Sequence, residues 1–207
     1  FDLFLRLIDE GLLDDARSQL ANNGDFWMLT YSLPKERPDW AAEVIGHYCN
    51  RHLERSLAAE EPNPFGTPLG ILDSQHDERY LLEAAEGAPL QFVEQLLPFM
   101  LRVMQLTARK EGQPPWFDDI WRYRFIGDGY SFRHALLTAM EKALRLLAAN
   151  EPGSFASIAE QLRQSEFERA QFLLIRAYPA NGERFANEAT GYLCADTARF
   201  CTGYSDD

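Results

Sequence analysis

Apolar residues recur along this chain at spacings of three and four, the period of a helix with one face on a core, and strand-like alternation is nearly absent. Over 40–59, Ala41, Ile45, Tyr48, Cys49, His52 and Leu53 fall on one face; Glu43, His47, Asn50, Arg51 and Glu54 fall on the other, with Asp39 placed to cap the helix. The spacing predicts a second long helix over 89–109, apolar on most of its circumference. Only Glu94, Arg102, Gln105 and Arg109 form a polar stripe, and Pro98 inside it predicts a kink. A third, over 131–149, carries the stripe Phe132, Leu136, Met140, Ala143, Leu144 and Leu147, with Glu141 and Arg145 set for an i,i+4 ion pair. Shorter helices are expected over 2–9, 12–22, 25–33 (ended by Pro34), 76–86 (stopped by Gly87), from Ser154, and over 183–193. One more is expected from a capping box, Ser165-Glu166-Phe167-Glu168, to Tyr178, and a last one between Asp196 and Gly203.

The fold class is therefore all-α, with many of the helices in short-looped antiparallel pairs. An internal echo at an offset of 51 residues links Glu43-x-Ile45-x-His47-Tyr48-Cys49-x-Arg51 to Glu94-x-Leu96-x-Pro98-Phe99-Met100-x-Arg102. Stacked helix pairs, an α-solenoid-like array, fit this pattern, and an irregular closed bundle is the alternative. The reading is of one helical-repeat-like domain over 1–207, with a sub-boundary at 60–75, where Pro62, Pro64, Gly66, Pro68 and Gly70 cluster. The opening Phe1-Asp2-Leu3-Phe4 already has helical character, which fits a fragment of a larger protein.

Charge narrows the partners. The net charge is −12, with no basic run, so phosphate neutralisation has no obvious footprint, and nucleic acid and anionic membranes are disfavoured. A basic or mixed-charge protein partner suits this field. Cys49, Cys194 and Cys201 form no Cys-x-x-Cys pair, which points away from disulfides and structural zinc and towards the cytoplasm.

The segment from Trp116 to Tyr130 concentrates candidate chemistry. Trp116, Phe117, Trp121, Arg122, Tyr123, Arg124 and Tyr130 are the residue types that anchor protein interfaces. The competing reading is a long connection whose aromatics plug a gap in the core, with Arg and Asp paired at its rim. Asp118, Asp119 and Asp128 lack calcium-loop spacing and read as solvated acids. Glu43 and His47 stand one turn apart without a visible third ligand. His52 reads as a hydrogen-bonded core residue, His134 as a surface one, and His76 belongs to no motif. There is no Gly-x-Ser-x-Gly, no Gly-x-x-x-x-Gly-Lys-Ser/Thr and no Gly-x-Gly-x-x-Gly, so no catalytic residue, metal site or cofactor is assigned.

The C-terminal third carries a resemblance. Arg176-Ala177-Tyr178-Pro179-Ala180-Asn181, Phe185-Ala186-Asn187-Glu188-Ala189, Tyr192-Leu193 and Arg199-Phe200-Cys201-Thr202-Gly203-Tyr204-Ser205-Asp206 resemble the helical-repeat region of bacterial STAND-type (NACHT-like) ATPases of antiphage defence. The resemblance covers about a quarter of the chain and includes no catalytic residue. It implies a sensor or scaffold array outside an ATPase core, one that recognises foreign proteins and favours oligomerisation of the parent protein. The Walker motifs are absent here, so ATP binding does not carry over. The expected function is a non-catalytic protein-recognition or scaffold module. The alternatives are a metal-dependent helical enzyme using acids of the 116–130 loop, and a structural spacer or oligomerisation segment.

Overall fold

The structure, a computed structural model, describes residues 1–12, 32–65, 77–121 and 131–201. Its elements are α1 (Asp2–Asp9), the single turn α2 (Leu33–Glu36), α3 (Pro38–Ala58), α4 (Asp77–Gly87), α5 (Pro89–Thr107), β1 (Ala108–Arg109), β2 (Phe117–Asp118), α6 (Phe132–Asn150), α7 (Pro152–Arg163), α8 (Glu168–Ala177) and α9 (Gly182–Cys194). A 3-10 turn, Tyr178–Asn181, joins α8 to α9, and another, Thr197–Cys201, follows α9. The fold is all-α. The helices expected over 12–22 and 25–33, Gly203, and most of the 60–75 segment lie outside the described residues.

Three of the long helices begin by the same device. Pro38, Pro89 and Pro152 stand at or next to the first helical position, where a missing N–H costs nothing. The residue before each is held out of the helical region, with φ −143° at Arg37, −142° at Ala88 and −132° at Glu151. Two expectations change accordingly. Asp39 is not the cap of α3 but a first-turn acid; Arg37 grips it through two hydrogen bonds of 3.0 and 2.7 Å and holds its carboxyl below the usual range. Helix α7 starts two residues before Ser154. Pro34 lies within α2 rather than ending a helix, and the capping box does not form as expected. Phe167 occupies the cap of α8, Ser165 Oγ accepts from the Phe167 N–H at 3.3 Å, and Gln171 donates to the Ser165 carbonyl. Helix α5 runs from Pro89 to Thr107 through Pro98, which stands on the exposed side.

Helix α3 lies against α5 and α4 against α6, and the sequence neighbours α3 and α4, and α5 and α6, also pack together. Helix α6 also supports α7, α8 and the Tyr178–Asn181 turn. Close approach is built in at Gly87, where an added Cβ would sit 2.6 and 2.7 Å from the ring carbons of Pro38, at the start of α3. One buried apolar cluster runs from Ile8 to Tyr192. Phe65 belongs to it, with ring centroids 6.1, 5.8 and 6.3 Å from those of Phe99, Trp121 and Phe132. Phe65, within the expected sub-boundary, is thus pinned into the shared core. The Glu141–Arg145 pair is present at 3.9 Å, and Arg176 reaches the same carboxylate at 2.9 Å. Among the described residues no helix is long and apolar enough to cross a membrane.

Candidate functional site

Helix α5 stops at Thr107, two residues short of the sequence expectation, because Ala108 and Arg109 leave it to pair antiparallel with Asp118 and Phe117. Trp116, next in line, is fixed to the start of α8: its N–H donates to the Glu166 carbonyl at 2.8 Å, and its own carbonyl accepts from the Glu168 N–H at 3.0 Å. The short ladder sets alternate side chains in and out. Phe117 is 42% exposed, whereas Asp118 is buried. Asp118 Oδ1 accepts from the backbone N–H of Ile120 at 3.0 Å and of Trp121 at 2.6 Å, closing a turn that drives Trp121 inward. Burial raises the Asp118 carboxyl above its usual value, against the opposing pull of those N–H groups and of the Arg169 guanidinium.

This corrects the reading of Asp118 as a solvated loop acid; Asp119, facing out and paired with Arg109 at 2.8 Å, does match it. At Trp121 the connection follows the core-plug reading. Trp121, expected at an interface, is fully buried and donates from Nε1 to the Arg133 carbonyl at 2.8 Å. Trp116 is half-buried and Phe117 is exposed. Arg122, Tyr123, Arg124, Asp128 and Tyr130 lie outside the described residues.

A groove of 560 Å³ opens beside Trp116. One wall is the polar stripe of α5, with Leu101, Arg102 and Gln105; the other is the end of α7, with Gln161 and Gln164. Trp116 and Phe167, ring centroids 6.4 Å apart and tilted, give it aromatic surface. Lys110 Nζ lies 5.4 Å from the Trp116 ring centroid, and Arg102 donates to the Gln105 amide oxygen at 2.7 Å. The Trp116 indole N–H is buried without a partner among the described residues. Sequence reasoning placed Trp116 here but missed both walls. Arg102 and Gln105 read as a solvent stripe, and nothing local announces that α7 faces them. An aromatic surface edged by amides and cations suits a side chain of another molecule and its flanking main chain.

The other candidates form no comparable site. His47 meets Asp9 at 3.1 Å, tying α3 to α1 over a 400 Å³ hollow that Asn50, Arg51 and Gln95 also line; Glu43 is not among its lining residues. His52 is fully buried, its ring 4.4 Å from that of Tyr48. His134 bonds Ser131 Oγ at 2.8 Å, and His76 lies outside the described residues. Among the described residues Cys49, which is buried, and Cys194, which is exposed, form no disulfide. Among the described residues no three His, Cys, Asp or Glu side chains come together to hold a metal ion. No family model, curated protein or solved structure matches this chain.

Proposed function

We propose that the chain is a non-catalytic protein-recognition module and that the groove beside Trp116 is its contact surface. The observation that carries this reading is a half-buried tryptophan whose backbone N–H and carbonyl are both fixed, lining a groove between two helices. A preorganised aromatic contributes area at little entropic cost, which is why such residues dominate interface energetics. The packing of α3 on α5 and of α4 on α6 is compatible with stacked helix pairs.

A sensor segment of a STAND-type defence ATPase is the biological setting that the C-terminal resemblance favours. Part of that stretch packs inward: Phe185 sits against Phe155 and Tyr178, and Asn181 donates to the Ala148 carbonyl at 3.0 Å. The resemblance therefore bears on architecture, and recognition falls to the groove. Panning a random dodecapeptide display library on the intact protein, in parallel with Trp116→Ala, tests the proposal. Sequences enriched on the native protein and absent from the variant's pool are expected. Identical pools, or no enrichment on either, would refute it.

A further inference from the structure

The groove has a sign opposite to that of the molecule. Acidic residues outnumber basic ones 32 to 20. Several cations elsewhere on the surface meet carboxylates: Arg109 pairs with Asp119, Arg163 with Glu160 and Glu188, Arg176 with Glu141. Arg102 and Lys110 do not. The partner of Arg102 is the neutral amide of Gln105, and Lys110 lies over the Trp116 ring. Both side chains are exposed, and neither meets a carboxylate among the described residues. Glu166 is the one carboxylate in the lining.

Distance decides which charge a ligand feels. At physiological ionic strength exposed charges are screened beyond about 8 Å, so acids remote from the groove count for little inside it; Glu166 in the lining and Glu160, which accepts from Gln164 at 2.8 Å and is paired with Arg163, are the acids near it. A group seated there meets Arg102 and Lys110 at contact range, where a carboxylate gains a charge-assisted hydrogen bond. The apolar component is separate: Trp116, Phe167 and Leu101 offer surface to one aromatic or aliphatic side chain.

Resting on the recognition reading above, we infer that the groove takes an acidic, extended segment of a partner protein, its apolar side chain on Trp116 and Phe167 and its carboxylates on Arg102 and Lys110. The general expectation of a basic or mixed-charge partner thereby becomes specific. Whatever the partner's overall charge, the contacting segment is acidic. Gln161 on the opposite wall supplies an amide for its main chain, while the Gln164 amide donates to Glu160 at 2.8 Å and offers its oxygen.

The same display library supplies the test. It is panned on the intact protein, on the double variant Arg102→Glu with Lys110→Glu, and on Trp116→Ala. The native pool is expected to be enriched in Asp and Glu flanking one large apolar residue. The charge-reversed protein should bind the winning synthetic peptides about ten-fold or more weakly, and raised salt should weaken native binding. Circular dichroism should be unchanged, since both substituted side chains are exposed. A pool that depends on Trp116 but is neutral or basic, or that ignores charge reversal, would overturn the acidic segment and leave the recognition reading standing. A pool indifferent to Trp116 would overturn both. Displacement of the peptides by a single-stranded oligonucleotide, with the same sensitivity to charge reversal, would reassign the cations to phosphates and also overturn the proposal.

Discussion

At Asp118 a carboxylate leaves water to receive two backbone N–H groups, while its neighbour Asp119 stays at the surface. The sequence cannot separate the two, because the in–out alternation that parts them comes from pairing with Ala108 and Arg109, ten residues back. Removing the acceptor leaves those N–H groups buried and unsatisfied, so Asp118→Ala should cost about 1–3 kcal/mol in urea unfolding. Asp118→Asn keeps an oxygen acceptor and should cost less. The pH dependence has a definite sign. Burial is the largest influence on this carboxyl and raises it above its unfolded value, so the native state binds the proton more tightly. The group's stabilisation is complete in acid, below the ordinary carboxyl range, and declines as pH rises through that range to the raised native value. Urea midpoints of the native protein and Asp118→Asn, compared from about pH 3 to about pH 8, should show the native protein losing ground with rising pH. A native advantage that grew with pH would contradict the assignment.

Helices were the most legible elements, since their apolar stripes depend on local spacing alone. Residues 92–104 and 132–147 fall inside α5 and α6 as their periodicity requires. Ends were less legible because the deciding contacts are remote. Thr107 ends α5 because a strand partner takes the next two residues. Gly87 was read as a helix stop, and α4 does end there, but the reason lies across the fold. Its φ is not positive, and what it provides is room for Pro38. Gly87→Ala would ordinarily favour a helix. Here it must displace a rigid ring at the start of α3, so a loss of about 1–3 kcal/mol is expected in thermal or urea unfolding. Unchanged or increased stability would show that α3 and α4 do not meet as closely as described.

Among the described residues one apolar cluster runs from Ile8 to Tyr192, and Phe65 shows how far it reaches. Its surroundings in sequence, rich in Pro and Gly, suggest a boundary; its ring instead joins Phe99, Trp121 and Phe132. Phe65→Ala should therefore cost about 3–5 kcal/mol in a single cooperative transition, as for other buried Phe truncations. A separate early transition would mean that the flanking parts unfold as independent units. The groove belongs to this scale too. Arg102 and Gln161 stand on opposite walls although 59 positions separate them in sequence, so the site existed only in part for a reader of the chain.

The claim that Trp116 organises a contact surface is tested most directly by fluorescence anisotropy of one labelled peptide carrying the most enriched panned sequence. Its dissociation constant should rise about ten-fold or more, about 1.4 kcal/mol, from the native protein to Trp116→Ala, with far-ultraviolet circular dichroism unchanged. Equal affinity for the two folded proteins would contradict the account.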